Sequence, residues 1–544
     1  MSSRRLVLSI LFWALVFWFV TVTGAIMGPA ANANSDHFVA ATDNGPVVGL
    51  QTETMKKFLG IPYAAPPVGD LRWRPPQPAA RWDGVRDATQ FANHCPQSAS
   101  PFGVASTTED CLYLNVYTPA GGWHKGKGKP VMVWIHGGAL IVGESDDYDP
   151  TKLVENEDVI VVTINYRLGF LGFLAHPALS AEADYQGSGD YGWMDQQAAL
   201  EWVQRNIKNF GGDPDKVTIF GESAGGLSVQ AQLASPGAAG LFHRAIVESG
   251  AYFLNTTPLA GAEAAGTAAA IAVGCPDQTA ACLREVPVAT LLAHQGAGGF
   301  TGNVDKKVLT QTIGAALQKG EFNQVPVMEG SNHDEWRLFV ALNFEFVPPF
   351  TPTNPTNYAA RISASFGGAL PASLVAFIAN VLYPLPNPPT LPGPSIALGA
   401  VGTDGIFACN SRLAIREMAN FVPVFAYEFN DQNAPELFLP PDTVSGMPYG
   451  AAHASEIQYI MGVRPVVPAP ALTADQLKLS DNMVSYWGNF ARSADPNSDQ
   501  TPAWPQYDPT KDQFQSLIPP QPTTEPQFGF TNEHKCTAFW TKGI

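Results

Sequence analysis

Charge is scarce in this sequence, and positive charge is scarcest. Of the 544 residues only 15% are charged, with 31 Lys+Arg against 48 Asp+Glu and a formal net charge of −17. An acidic surface repels polyanions, so this balance disfavours nucleic acid as a partner. The hydrophobic share of 45% excludes a disordered chain, and the composition is neither that of collagen nor that of a coiled coil. The length suits one large α/β domain with insertions, or several smaller domains.

Cysteine is also rare, and its spacing excludes one kind of site. None of the six cysteines forms the close-set C-x-x-C pair that structural zinc sites use, so we expect no metal. In an oxidising compartment all six are expected to pair, although many connectivities are open. Short closed loops favour pairing the first with the second and the third with the fourth, which leaves the last two as the third pair. The cysteines are Cys95, Cys111, Cys275, Cys282, Cys409 and Cys536.

After the N-terminus the sequence has no apolar run long enough to read as a membrane span. Two arginines precede an apolar run over residues 6–27, and a small-residue site ends at Ala33. This pattern predicts that residues 1–33 are a signal peptide and that residues 34–544 form a single domain, secreted or periplasmic. The run is long enough to be an uncleaved anchor instead. The protein contacts a membrane only in that second case, and it is exported in both.

Strand-like and helix-like patterns alternate in the middle of the chain. Trp202, Val203 and Ile207 recur at helical spacing between runs rich in β-branched residues. This alternation predicts an α/β fold with a mostly parallel central sheet, helices on both faces, and sites at the carboxyl ends of the strands. A proline-rich apolar stretch, residues 346–400, is predicted to be a helical insertion packed over one end of the sheet. The predicted strands are 131–135, 159–164, 217–220, 245–247, 325–328 and 424–427.

One pentapeptide carries the pattern of a nucleophile elbow. Residues 221–225 read Gly-Glu-Ser-Ala-Gly and directly follow the predicted strand 217–220. In G-x-S-x-G, small residues let the chain turn sharply while the serine, here Ser223, is held in a strained conformation at the tip. The helix that follows directs its free N–H groups toward the serine. The pattern predicts a nucleophilic serine.

A glycine-rich turn lies where a nucleophilic serine needs hydrogen-bond donors. His136-Gly137-Gly138-Ala139 follows the predicted strand 131–135. Acyl transfer develops a negative charge on oxygen, which backbone N–H groups beside the nucleophile stabilise. We expect Gly138, Ala139 and Ala224 to form this oxyanion hole. Glycine pairs after strands are also ordinary turn residues, so the prediction depends on the elbow.

A serine nucleophile needs a histidine base oriented by a carboxylate. In hydrolases with this elbow the chain order is serine, acid, histidine. His453 lies in a small-residue loop after the last predicted strand, whereas His243 is too close to the serine in sequence and His534 adjoins a cysteine predicted to pair. Asp334 and Glu335 follow an earlier strand and are the candidate acids.

These residues, with several further blocks, resemble the type-B carboxylesterase and cholinesterase-like family of α/β hydrolases. The resemblance extends from about residue 45 to residue 540, and its blocks occur in the family's order. They are residues 58–64 (FLGIPYA), 109–115 (EDCLYLN), 165–170 (NYRLGF), 210–214 (FGGDP) and 221–226 (GESAGG).

The resemblance implies an α/β-hydrolase fold and a serine esterase that acts through an acyl-enzyme. It implies Ser223 as nucleophile, Glu335 as the acid and His453 as general base. It implies a small-molecule ester as partner. The implied reaction needs neither a metal nor an organic cofactor. The family's cysteine pattern agrees with the first two pairs favoured by loop length.

Three further residues match family positions near the catalytic groups. By resemblance, Glu222, Ser249 and Glu456 orient the triad. Each could instead be an ordinary buried polar residue. Ala139 stands where family members commonly have a third glycine, which narrows the space beside the oxyanion site but keeps the N–H.

The resemblance leaves the substrate open. The loop between Cys95 and Cys111 is short for a lipase lid and has no tryptophan, which disfavours an interfacial lipase and a choline esterase. We therefore expect an exported carboxylesterase. The alternatives are a lipase or a specialised ester, lactone or toxin hydrolase of the same fold, and, from another class, a non-catalytic cholinesterase-like binding protein. The natural ester and the oligomeric state are not predicted.

Overall fold

The structure, a computed structural model, describes residues 36–121, 128–295 and 301–540. The predicted signal peptide, residues 1–33, lies outside these ranges. Among the described helices, none is both long enough and apolar enough to cross a membrane.

A 13-stranded sheet forms the centre of the fold, in the order β1-β2-β3-β5-β8-β6-β9-β10-β13-β14-β16-β17, with β4 paired to β2. Two short two-stranded pairs, β11 with β12 and β7 with β15, lie outside it. The described strands are β1 (Asp36–Thr42), β2 (Gly45–Gln51), β3 (Met55–Pro62), β4 (Arg86–Asp87), β5 (Tyr113–Pro119), β6 (Lys129–Ile135), β7 (Tyr148–Asp149), β8 (Ile160–Ile164), β9 (Gly212–Glu222), β10 (Arg244–Glu248), β11 (Thr257–Pro258), β12 (Asn303–Val304), β13 (Val327–Asn332), β14 (Val424–Phe429), β15 (Gly462–Val463), β16 (Gln515–Leu517) and β17 (Thr523–Thr524).

The middle of the sheet is parallel and its ends are antiparallel. Strands β8, β6, β9, β10, β13, β14 and β16 run parallel to their neighbours in that series. The pairs β1–β2, β2–β3, β3–β5, β5–β8 and β16–β17 are antiparallel. The prediction of a mostly parallel sheet is therefore confirmed. All six predicted strands are present, although each differs in its bounds from the predicted segment, most of all β9 and β13.

Helices cover both faces of this sheet. The described α-helices are α1 (Thr151–Glu157), α2 (Gly169–Phe173), α3 (Pro177–Glu182), α4 (Tyr191–Asn206), α5 (Ala224–Ala234), α6 (Leu259–Ala272), α7 (Ala280–Glu285), α8 (Val288–His294), α9 (Ile313–Lys319), α10 (Trp336–Val340), α11 (Tyr358–Ser365), α12 (Ala372–Phe377), α13 (Gly393–Gly402), α14 (Cys409–Met418), α15 (Ile457–Ile460), α16 (Ala474–Ser493) and α17 (Gly529–Glu533). A 3₁₀ turn at Ala251–Phe253 and a π-helix at Thr403–Ala408 also border the site described below.

The central strand β6 shows why these segments read as unbroken apolar runs. Its alternate side chains point to opposite faces. Val133 and Ile135 join a core that contains residues of α4 and α5, whereas Met132 and Trp134 join a second core that contains residues of α16. Both faces are buried, so neither requires polar side chains.

The insertion packs against helix α10, which directly follows Glu335. Residues 346–400 contain α11, α12 and most of α13. A side chain at Gly399 would press on Arg337, and one at Gly402, two residues beyond the insertion at the end of α13, would overlap the Trp336 ring. Both partners lie on α10, which begins directly after Glu335. The insertion therefore supports one wall of the site.

Three disulfides cross-link the described residues. They join Cys95 to Cys111, Cys275 to Cys282 and Cys409 to Cys536. The third bridge spans 127 residues of sequence and ties the start of α14 to the C-terminal segment.

Candidate active site

Ser223 stands at a sharp turn between strand β9 and helix α5. Its φ of 56° and ψ of −119° lie in a region that residues with a side chain rarely adopt. Its amide donates a 2.9 Å hydrogen bond to the Glu248 carbonyl of the neighbouring strand. A Cβ at Gly221 or Gly225 would collide with the Ile135 carbonyl oxygen of β6. The two glycines of the elbow are thus required by the close approach of β6.

The glycine turn after β6 lies beside this serine. A Cβ at Gly137 would lie 3.2 Å from Cβ of Ser223, so the turn and the nucleophile are adjacent. Gly138 has a φ of 96° and Ala139 a φ of 55°, and both are accessible to solvent. Ala224 is the first residue of α5, and the amides of a first helical turn have no acceptor within the helix. The residues predicted to form the oxyanion hole therefore belong to the turn beside Ser223 and to the helix that begins directly after it.

His453 and Glu335 form a short contact beneath this turn. Nδ1 of His453 lies 2.5 Å from Oε2 of Glu335, and the other carboxylate oxygen of Glu335 accepts a 2.7 Å bond from the Asn332 amide. A proton on Nδ1 leaves Nε2 free to accept another. Nε2 lies 3.2 Å from Oε1 of Glu222, the residue before Ser223. The accepting nitrogen therefore faces the elbow.

Buried carboxyl groups cluster behind the histidine. Glu222, Glu248 and Glu456 have almost no exposed surface. Burial raises the pKa of Glu222 well above its ordinary value, although the charge of His453 opposes this. Burial, reinforced by neighbouring carboxylates, also raises the pKa of Glu248 to about 8 and that of Glu456 to about 7.

The same carboxylates control the histidine. Burial lowers the pKa of His453, but the charges of Glu222 and Glu335 outweigh this effect and raise the pKa to about 9. An imidazolium between carboxylates is stabilised by them. The site is therefore suited to hold a proton on His453.

The polar residues around the triad differ in how they reach it. Asn332 donates bonds of 2.5 Å to Glu456 and 2.8 Å to the Ala452 carbonyl, next to His453. Glu456 thus meets the triad through Asn332. The Ser249 amide donates to the Gly330 carbonyl, but its hydroxyl has no hydrogen-bond partner among the described residues. Sequence reasoning missed Asn332, which carries no motif of its own.

Glu248 is fixed from the far side of the sheet. Trp487, on helix α16, donates a 2.8 Å hydrogen bond to Oε1 of Glu248. The Glu248 carbonyl accepts the amide of Ser223. Helix α16 therefore supports the elbow through one intervening residue.

Aromatic rings form the wall beside the triad. The rings of Phe339 and Phe407 each lie 5.0 Å from the imidazole of His453. The Tyr252 ring lies 5.3 Å from that of Phe407, and the nearby Ser223 side chain opposes the rise in the pKa of Tyr252 that burial causes. Sequence reasoning missed these aromatics because their spacing does not distinguish them from core residues.

One group of potential metal ligands occurs in the described part of the chain. It consists of Cys275, Asp277 and Cys282. The two cysteines are joined in a disulfide, so they offer no thiolate to an ion.

Comparisons with known proteins agree on the family. The model of the carboxylesterase family matches residues 36–539. Pyrethroid hydrolase Ces2e of Rattus norvegicus is 34% identical, over 98% of this chain and 93% of its own length. Cocaine esterase of Homo sapiens is 33% identical, over 96% and 91%. Liver carboxylesterase 1 of Oryctolagus cuniculus is 33% identical, over 85% and 86%.

A solved structure gives the same result for the fold. PNB esterase superposes with a TM-score of 0.75 at 30% identity, covering 92% of this chain and 99% of that one. The predicted α/β-hydrolase fold is confirmed. The chain belongs to the carboxylesterase family and is a serine hydrolase that acts on ester bonds.

Proposed function

We propose that this protein hydrolyses small-molecule carboxylic esters through an acyl-enzyme on Ser223. His453 acts as general base and Glu335 as its acid partner. The observation that carries the proposal is the 2.5 Å contact between Nδ1 of His453 and Glu335, with Nε2 directed at the elbow. This arrangement fixes the imidazole in the tautomer that accepts a proton from a serine.

The reaction proceeds in two halves. The Ser223 oxygen attacks the ester carbonyl while its proton moves to Nε2 of His453. The resulting oxyanion is held by the amides of Gly138, Ala139 and Ala224. Collapse breaks the bond to the alcohol, which takes the proton from His453 and leaves the acyl group on Ser223. Water then loses a proton to His453 and attacks the acyl carbonyl; the bond to Ser223 breaks, the acid leaves, and His453 returns the proton to the Ser223 oxygen.

The cycle consists only of proton transfers and acyl transfers. It includes no oxidation or reduction, and backbone amides stabilise the negative charge that develops on the carbonyl oxygen. We therefore propose that the reaction needs no metal and no organic cofactor. Glu222, Ser249 and Glu456 serve as positioning residues, with Glu222 acting directly on the charge of His453.

We also propose that the protein is exported. Three disulfides support this, because such bonds persist in oxidising compartments. In this proposal residues 1–33 are removed as a signal peptide and residues 34–544 act as a single domain, secreted or periplasmic. The protein is bound to a membrane only if that segment is retained.

The relatives support an ester substrate without selecting one. Two of them are named pyrethroid hydrolase and cocaine esterase, and these names point to different substrates. Neither a lipase or lactone hydrolase nor a non-catalytic binding protein is favoured. We therefore keep the substrate class at small-molecule carboxylic esters.

The test is a panel of p-nitrophenyl esters from acetate to palmitate, with fluorophosphonate labelling mapped by peptide mass spectrometry. The unmodified protein should hydrolyse some of the panel and label at Ser223. Ser223→Ala should lose roughly 10⁴-fold or more of kcat. His453→Ala should fall comparably, whereas His294→Ala, at an exposed position, should not. Labelling at another serine, or full activity of Ser223→Ala, would refute the proposal.

A further inference from the structure

A cavity of about 530 Å³ lies directly behind the aromatic wall of the site. Tyr252 is part of its lining. Apolar side chains, among them Leu370, Leu413 and Trp540, line it together with several polar ones. Cavities of this volume hold small organic groups. The space is large enough for an acyl chain, and it adjoins the nucleophile without being part of the site described above.

Tyr252 and Phe407 separate this cavity from the catalytic groups. Tyr252 lies near Ser223 and also lines the cavity. Phe407 packs on the Tyr252 ring at 5.3 Å and on the His453 ring at 5.0 Å. The two residues before Phe407, Gly405 and Ile406, also line the cavity. The two rings therefore lie between the catalytic groups and the partly open cavity.

The two rings differ in how deeply they are buried and in the element that carries them. Phe407 has only 4% of its surface exposed and lies within the π-helix Thr403–Ala408. Tyr252 is half-buried, on the short 3₁₀ turn Ala251–Phe253. Tyr252 is therefore the part of the partition whose removal opens the cavity with the least damage to the core.

We propose that Tyr252 determines acyl-chain specificity by closing the catalytic site against the adjoining cavity. With Tyr252 in place, the acyl group bound to Ser223 has little room on this side, and short acyl chains are preferred. Removing the ring joins the two spaces, and a longer chain then gains apolar contacts that acetate cannot make. Because one methylene changes specificity by roughly 10-fold or more in a fitted pocket, several methylenes give a large effect. This inference depends on the proposed role of Ser223.

The experiment compares octanoate with acetate as p-nitrophenyl esters. Tyr252→Ala should raise the octanoate-to-acetate ratio of kcat/KM by roughly 10-fold or more. Tyr252→Phe keeps the ring and loses the hydroxyl, so its ratio should stay within about threefold of the unmodified protein's. Leu413→Trp, placed in the Tyr252→Ala chain, refills the cavity and should lower the ratio again.

Fluorophosphonate titration of active serines accompanies each variant. It corrects the rates for misfolded protein, and Tyr252→Leu replaces Tyr252→Ala if the latter gives no titratable serine. An unchanged ratio in a variant that still labels at Ser223 would overturn the specificity role alone. An equal rise in Tyr252→Phe would also overturn it, because the ring would then not be the barrier. Absence of labelling at Ser223 in the unmodified protein would instead overturn the proposed function.

Discussion

Asp334 and Ala451 are joined by two hydrogen bonds of 3.0 Å each. The Asp334 amide donates to the Ala451 carbonyl, and the Ala451 amide donates to Oδ2 of Asp334. Asp334 directly precedes Glu335, and Ala451 lies two residues before His453. The pair therefore sets the distance between the two loops that carry Glu335, the proposed acid, and His453, the proposed base. Arg337 holds the same carboxylate at 2.7 Å.

Replacing Asp334 by alanine should weaken both the fold and the site. Breaking a buried ion pair from one side leaves Arg337 uncompensated, which costs about 3–5 kcal/mol. The His453 loop also loses one anchor, so kcat should fall while KM changes little. Urea unfolding and steady-state kinetics test this, with Asp475→Ala on the exposed surface of α16 as the matched control. Asp334→Asn, which keeps one oxygen, should recover part of kcat. Equal stability of Asp334→Ala and the control would contradict the prediction.

Replacing Glu222 by glutamine should move the pH profile toward acid. The charge of Glu222 contributes to raising the pKa of His453, and the neutral imidazole is the form that accepts the serine proton. Without that charge the pKa falls, so the acid limb of kcat/KM should shift down by roughly 1 pH unit. The profile is measured with p-nitrophenyl acetate from about pH 6 to about pH 10, because the pKa of His453 is raised to about 9. A limb that does not move would mean that Glu222 is uncharged in the free enzyme.

His534 should make stability depend on pH. Its two ring nitrogens lie 2.6 Å from Asp404 and 2.6 Å from Glu428. Burial lowers the pKa of His534, but these two carboxylates outweigh it and raise the pKa well above the ordinary value. A raised folded-state pKa stabilises fully below the unfolded value of about 6.5, and the contribution is lost as pH rises toward the folded value.

The stability difference between the unmodified protein and His534→Gln should therefore shrink by about 1.4 kcal/mol per pH unit above about pH 6.5. Urea unfolding at several pH values from 6 to 9 measures it, and His294→Gln at an exposed site is the control. A difference that is constant across this range would show that His534 stays neutral.

The disulfide between Cys409 and Cys536 should contribute more stability than the one between Cys275 and Cys282. The first spans 127 residues and the second 7, and longer closed loops lose more entropy in the unfolded chain. Replacing Cys409 and Cys536 by serine should cost about 2–5 kcal/mol. The double serine variant of the short bridge is the matched comparison. Thermal melting of both variants tests the order, which a larger loss from the short bridge would reverse.

Part of this architecture can be predicted from the local sequence. The strand over residues 131–135 is predictable because both of its faces are buried and every side chain is apolar. The elbow is predictable because Gly221 and Gly225 must admit the backbone of β6. The antiparallel strands at the start of the sheet were missed, since β1 mixes polar and apolar residues and pairs only at one edge.

The surroundings of the triad depend on tertiary packing. Asn332 acts through a hydrogen bond to the Ala452 carbonyl, which is far along the chain. No local sequence pattern predicts this bond. Tyr252 and Phe407 look like core aromatics in the sequence. Their position against Ser223 and His453 arises only when the turn after β10 meets the π-helix before α14.

Because of the hydrogen bond from Trp487 to Glu248, the support of the elbow depends on a helix late in the chain. A ribosome that has made the protein only as far as Gly225 has completed every residue of the elbow, yet Glu335, His453 and helix α16 have not been synthesised. Until α16 has emerged and docked, the nascent polypeptide has no working hydrolase to act on esters in the compartment of its synthesis. A product truncated before α16 should therefore hydrolyse no ester.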